Sequence, residues 1–490
     1  MLSILAGRDV EVLAEAVCTI LEKVGFYVEN AEILSAYEMM GAHVDYTAQV
    51  ARFPSAVTLR FVESVRQEPK EDWQHQLGGA NVETMYSGYC PYHPPDTFQR
   101  PPPPYMFHNT STYYLDDETG ERRLGNKRDL IELIRLGDGL HPDKGMGHAL
   151  LLAADAQPEV EPLEAALVLL EYAHFPRGVY VHDVRQIPYL QEIEAVFGIE
   201  DPYWHWLANV GCSTPLKLEK AVADRYVYML KSGLYPAKVY GMPVAGVNMP
   251  ITVAGALAIQ VAEYVALWMA ARSLQPKKVP LVGMCLSGTM DPRRGDVSYG
   301  AFDAAIIRLA TCDLVRKWLG VRMAPGPGEW PPTKTPGLYA VLEKAYFALL
   351  AAAFTGYHPE LGCGHLDSGL TISRVQLLLE REFWGALQFL EKPVIDKDTL
   401  GLDAILAVGF GFHESYVSSE HTIAHMRTAS WPPQLLARSG WSPEADAEAK
   451  GRALRRVKEI AAQYTKPEGR EEPLARARAV LERAKKDLCP

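Results

Sequence analysis

The sequence has no CxxC pair. Its seven cysteines (Cys18, Cys90, Cys212, Cys285, Cys312, Cys363 and Cys489) are scattered and odd in number, a pattern of reduced thiols rather than a disulfide framework. Positive charge is not in excess: 49 Lys and Arg face 60 Asp and Glu, and the formal net charge of −11 disfavours a general nucleic-acid binder. No GxGxxG and no GxxxxGK[ST] is found, so neither common nucleotide-phosphate loop is present. There is no HExxH or HxH spacing for a metal hydrolase. The start, "MLSILAGRDVEVLAEAV", has no basic stretch ahead of an apolar run; we expect no secretory signal and a cytoplasmic protein. An uninterrupted membrane-spanning run is also missing. The nearest approach, "GVNMPITVAGALAIQVAEYVAL" (246–267), carries Gly, Gln and Glu263, and reads as a core helix packed on more than one side, with Glu263 buried and hydrogen-bonded.

What is present is ordinary globular composition, 48% hydrophobic and 22% charged, over 490 residues, enough for one large barrel with appendages. Val10, Leu13, Val17, Ile20, Leu21 and Val24 share one helical face that stops at Gly25. "AEILSAYEMMGAHVD" predicts a second helix ending at Gly41, and "FPSAVTLRFVESVRQEP" a third with Pro54 at its start. The stretch from Tyr86 to Tyr105, with seven prolines and five aromatics, predicts an irregular wrap or covering loop. The hairpin-like "YYLDDETGERRL" follows, with Glu118, Thr119 and Gly120 at the turn.

From there short apolar runs alternate with helical patterns: "GMGHALL", "GVYVHD", "WLANVGC", "AKVYGM", "VPLVGM", "VRMAPG" and the "GYHPELG" region, with a last strand placed near "AILAVG". Such alternation implies a parallel sheet, and this number of units without a nucleotide loop predicts a (β/α)₈ TIM barrel. The expected division is a helical N-terminal subdomain with the proline-rich loop over 1–104, the barrel over 105–430, and a charged, solvated helical C-terminal extension over 431–490.

In a barrel the site lies where strands end, which singles out His148, His182 with Asp183, Cys212, Cys285 with Ser287, Glu329 and Trp330, and then His358, Glu360, Cys363, His365 and Asp367. Three chemistries compete for these residues. Histidines and carboxylates could converge on a metal, a cysteine could act as nucleophile, or aromatic faces with a carboxylate could hold a quaternary ammonium group. In "EHTIAH" the two histidines are spaced i, i+4 but lack a general base between them, so a surface helix start near Thr422 is the simpler reading.

The 246–267 stretch resembles the Pro-x-Thr-x-Ala-Gly block of the trimethylamine methyltransferase family, corrinoid-dependent enzymes. "ILEKVGFYVEN" with "GAHVD", "YYLDDETGERRLGNKRDLIELIRLGDGL", "STPLKLEKAVADRYVYMLKSGLYPAKVYGMPVAG", "LDSGLTISRVQLLLEREFWGAL" and "EHTIAHMR" resemble further blocks of that family, in order across almost the whole chain. The resemblance implies a barrel that receives a small methylated amine from one side and a separate corrinoid protein from the other, with no tightly bound cofactor, no metal, no membrane and a homo-oligomeric state. Trimethylamine-specific members carry pyrrolysine where this chain reads "PGPGEWPPTKTPGLYAVLEKAY". The departure points to members that lack pyrrolysine and resemble glycine betaine methyltransferase. On that reading Trp330 and Tyr357 are cage walls, Glu329, Glu360 or Asp183 the counter-charge, and His182, His358 or His365 anchors for a substrate carboxylate. A non-catalytic barrel relative and a metal-dependent hydrolase or lyase are the alternatives.

Overall fold

A computed structural model describes residues 3–68, 110–142, 145–201, 204–207, 210–233, 237–275, 281–321, 323–326, 330–355, 361–388, 394–437 and 442–489. The protein is mixed α/β, with helices between short, mostly parallel strands. The N-terminal part holds the three expected helices, Gly7–Lys23, Ala31–Met40 and Ser55–Arg66. Gly41 closes the second in the left-handed conformation (φ 101°), which a residue without Cβ adopts at no steric cost. Between the helices lie three short strands, Phe26–Val28, His43–Asp45 and Val50–Arg52, which the helical periodicities did not announce. Phe26–Val28 also pairs in parallel with Lys217–Leu218, tying this part to the rest of the chain.

The parallel pairings follow one order. Thr371–Ile372 lies beside Tyr113–Tyr114, Ser111 bridges Leu150, Met146 bridges Pro176, and Val179–Val181 pairs with His205–Leu207. Val210–Gly211 then pairs with the strand Ala237–Gly241, that strand with Leu281–Cys285, and the latter with Met323–Ala324. Among the described residues no ladder joins Met323–Ala324 to Thr371–Ile372, and no closed barrel is formed. "AILAVG" is not the last strand: Leu402–Val408 is a helix. A five-residue apolar run has no period by which to choose, and the segment has no strand to pair with.

The helix Val253–Leu274 is buried from Ala256 to Ala271 except at Ile259, which is partly buried. Its Trp268 and Tyr264 donate inward to the carbonyls of Val282 (3.3 Å) and Met284 (3.2 Å) on a parallel strand. On its other side Tyr37 and Tyr226 donate to the carbonyls of Ala266 (2.9 Å) and Leu267 (3.0 Å). It is the one described helix long and apolar enough to cross a membrane, and the packing explains why it is apolar all round. Glu263, fully buried as expected, accepts from Thr214 Oγ1 (2.9 Å) and the Leu216 N–H (2.7 Å).

The C-terminal helices Ala445–Ala462 and Glu471–Leu488 are not simply solvated. Leu474, Ala477, Val480, Leu481 and Ala484 are buried, and the last helix packs on Glu161–Tyr172 and Ile187–Phe197. Its charge density hid a narrow apolar stripe. At the other end of the chain, Asp313 accepts from the N–H groups of Ile4 (2.9 Å) and Leu5 (3.0 Å) and pairs with Arg316 and Lys317. Burial opposes ionisation there, but these donors and cations overcome it and lower the carboxyl to about 2. Its contribution is therefore complete above the unfolded value near 4 and lost as pH falls through about 2. Asp313→Asn is expected to cost up to about 2 kcal/mol at neutral pH and to expose the N-terminus to proteolysis; an equally protected N-terminus would count against this role.

Candidate functional site

The strand Val179–Val181 ends on His182 and Asp183. Asp183 caps the next turn, accepting from the Arg185 N–H (2.9 Å) and pairing with its guanidinium, so its charge is already matched. His182 is open to solvent, and its ring lies 5.4 Å from that of Tyr180. Protein closes around it elsewhere. Desolvation pushes its pKa below the usual histidine value; nearby His148 and Arg225 act in the same direction and Glu161 opposes them. The Arg225 Nη1 also donates to the His182 carbonyl (2.9 Å). Burial thus favours the neutral imidazole at His182.

His148 is committed to structure. Its Nδ1 accepts from the Tyr180 N–H (3.3 Å), which leaves the proton on Nε2 to donate to Glu161 Oε1 (3.0 Å). Cys285 lies 3.3 Å from Gln260 Oε1 and 3.2 Å from Ser287 Oγ, and Cys363 is buried. Burial raises the Cys212 thiol well above its usual range and keeps it protonated, which removes support for a thiolate nucleophile there. Among the described residues no group of His, Cys, Asp and Glu is arranged to hold a metal ion. His421 and His425 sit on the helix Glu420–Ala429, capped by Ser419, whose Oγ accepts from the Thr422 N–H (3.2 Å).

Trp330 is half-buried beyond the strand Met323–Ala324. Its ring meets Tyr299 edge-on at 6.4 Å, and the Tyr299 hydroxyl donates to the carbonyl of Met242 (3.3 Å), one residue past the strand Ala237–Gly241. The same contacts place Trp330 at the carboxyl ends of the parallel strands. Gly369 lies under the indole: a Cβ there would stand 2.7 Å from Nε1, and its φ of 89° also favours glycine. The turn Asp367–Gly369 is pinned by the Ser368 N–H to the Pro331 carbonyl (2.8 Å) and by the Asp367 N–H to the Thr333 carbonyl (2.9 Å). Asp367 itself pairs with Arg122 (2.9 Å), and His365 is buried in the strand leading into the turn.

Of the expected site residues, His182, Asp183, Trp330 and His365 are placed, while Glu329, Tyr357, His358 and Glu360 lie outside the described residues. Tyr299 and Gly369 carried no sequence signal, since both reach Trp330 only through tertiary structure. Lys238 did carry one, a lysine in the middle of the apolar run "AKVYGM". Burial lowers its ammonium to about 8.

An α/β protein that gathers aromatic rings and a neutral imidazole at the carboxyl ends of its parallel strands is arranged as an enzyme. The trimethylamine methyltransferase (MTTB) family model matches residues 105–488. The chain belongs to that family and is a methyltransferase. It is similar to the trimethylamine methyltransferase MttB of Desulfitobacterium hafniense (strain DSM 10664 / DCB-2), 24% identical over 94% of this chain and 90% of the relative. It is also similar to the glycine betaine methyltransferase of D. hafniense (strain Y51), 29% identical over 52% of each chain. MttB of Methanosarcina barkeri (strain Fusaro / DSM 804) is 25% identical over 41% of this chain and 39% of its own length.

Proposed function

We propose that this enzyme moves a methyl group from a quaternary amine to a corrinoid carried by a partner protein, at the mouth of a (β/α)₈ barrel over 105–430. The order of parallel pairings supports the barrel, since it is the order of eight strands around a ring with one seam, between Met323–Ala324 and Thr371–Ile372. The N-terminal part over 1–104 and the helices after 431 are then additions to it.

The observation that carries the substrate reading is the state of Trp330. Its indole N–H is buried and meets no acceptor among the described residues, a loss of about 1–3 kcal/mol. A ring held at that cost is held for its face. The face suits a permanent cation, and His182, kept neutral, adds no repulsion near the strand ends. A quaternary amine leaves as a neutral tertiary amine, so the site needs no general acid, and none is poised among the described strand-end residues. The corrinoid, once its carrier docks, supplies the Co(I) nucleophile. This chain supplies orientation, a cage wall and exclusion of water. The absence of a pyrrolysine in "PGPGEWPPTKTPGLYAVLEKAY" favours substrates such as glycine betaine over trimethylamine.

Calorimetric titration with glycine betaine, proline betaine, carnitine and choline tests the reading. Trp330→Ala should weaken binding by about 0.5–2 kcal/mol and Trp330→Phe should retain part of the affinity. Equal binding by wild type and both variants would remove the cage at Trp330. Failure of all four compounds to bind wild type would remove the quaternary-amine reading.

A further inference from the structure

Register decides which strand residues face away from the surrounding helices. Cys285 points at Gln260 on the helix Val253–Leu274, so Met284 beside it points the other way, and Tyr240, paired with Met284, shares that inner face with Lys238. His205 points at Glu194 on the helix Ile187–Phe197 and pairs with Val179, which turns the next residue, Tyr180, to the inner face as well. Gly211 pairs with Tyr240 and lies under its ring, since a Cβ there would stand 2.9 Å from it. Arg225, on the helix Lys220–Ser232, reaches the strand ends beside these two tyrosines and is only 8% exposed. Burial works against its charge, and Tyr240, Tyr180 and, more weakly, Asp183 favour it. Among the described residues it forms no ion pair, and Asp183 is already matched by Arg185.

The guanidinium is half used. Nη1 donates to the His182 carbonyl (2.9 Å), whereas the Nε N–H is buried and meets no acceptor among the described residues. Nε and Nη2 form the edge of the fork that holds a carboxylate through two parallel bonds. A desolvated cation with an orphaned donor is costly, and a carboxylate on that edge satisfies both the charge and the donor. The same strand leads to Trp330: Met242, two positions and about 7 Å beyond Tyr240, accepts from the Tyr299 hydroxyl, and Tyr299 meets the indole. We propose that Arg225 anchors the carboxylate of a zwitterionic substrate whose quaternary nitrogen lies against Trp330, so that the enzyme selects betaines over cations that lack an acid group. The proposal rests on the quaternary-amine reading of Trp330. Lys238, mostly protonated at neutral pH, adds to the positive inner face, which attracts the carboxylate and repels a bare cation such as choline. Among the anchors expected from the sequence, His182 is a poor counter-ion because burial disfavours its charge; the arginine behind its carbonyl is the permanent cation.

Calorimetric titration of the full chain with three probes tests it: glycine betaine, choline, which lacks the carboxylate, and tert-butylacetate, which has the shape of glycine betaine with carbon in place of the quaternary nitrogen. Wild type should bind glycine betaine more tightly than either of the others. Arg225→Gln should weaken glycine betaine and tert-butylacetate by roughly 10- to 100-fold and leave choline unchanged or bound more tightly. Arg225→Lys, which keeps the charge without the fork, should retain part of the affinity for both carboxylates. A glutamine variant that binds glycine betaine as wild type does overturns the proposal, and so does one that loses choline and glycine betaine equally. A wild type that takes up neither carboxylate overturns it as well. Glycine betaine bound no more tightly than tert-butylacetate, with both still dependent on Arg225, would instead remove the cation cage at Trp330 and leave the carboxylate anchor standing.

Discussion

Replacing Lys344 with methionine is expected to destabilise the protein by roughly 3–5 kcal/mol. Lys344 on the helix Leu338–Thr355 pairs with Glu380 on Arg374–Gln388, and both side chains are only 1% exposed. The other Glu380 oxygen accepts from the Gly364 N–H (3.0 Å), so the carboxylate is held in place whether or not the ammonium is there. Methionine fills the volume and removes the charge, which leaves Glu380 desolvated without that cation. The deficit should shrink as pH falls, because protonation removes the charge that the ammonium had matched. Adding Glu380→Gln should recover most of the loss: the amide keeps an acceptor for Gly364 and carries no charge. Chemical denaturation of wild type, the single variants and the double variant measures the coupling. A single variant that loses less than about 1 kcal/mol, or a double variant no better than the single, would mean that the pair is not what holds these helices together.

How much of this was legible depends on the range of the interaction that decides each element. "GVYVHD", "AKVYGM", "VPLVGM" and "VRMAPG" each contain a strand, because a buried parallel strand needs only a local apolar run bounded by turn residues. Gly41 and Pro54 marked helix ends through their own backbone preferences. "AILAVG" failed because its apolar residues are not buried in a core among the described residues, and sequence hydrophobicity does not say what will cover a residue. The strands of the N-terminal part escaped because three-residue segments carry too little alternation to register. At the site, Trp330 and His182 stood out by their place after apolar runs. Asp183 was also marked, but Arg185 two residues on already neutralises it, as a local charge pattern could have suggested. Tyr299 and Gly369 meet Trp330 from distant parts of the chain, and nothing local in "DVSYG" or "LDSGL" states that meeting.

Glu263 should make the protein less stable as pH rises from about 4.5 to about 7, and Glu263→Gln should remove that dependence. Desolvation inside the helix Val253–Leu274 is the largest influence on this carboxyl and raises it to about 7, although the Leu216 N–H and the Thr214 hydroxyl favour the ionised form. The folded state therefore binds the proton more tightly than the unfolded chain does. Its contribution is complete below the unfolded value near 4.5 and declines as pH rises through about 7. The full span is worth about 3 kcal/mol. Cys212 lies close by, and its thiol is raised well above the usual range, so it does not titrate across this interval. Glutamine reproduces the protonated acid: its carbonyl accepts from Leu216, and its amide donates to the Thr214 oxygen. Thermal unfolding followed from pH 5 to pH 8 should show the wild-type midpoint falling relative to the variant, with the variant the more stable by about 3 kcal/mol at pH 8. A glutamine variant that is the less stable of the two at pH 8 would show instead that the folded carboxyl is not raised above the unfolded value, its two hydrogen bonds outweighing the cost of taking the charge out of water.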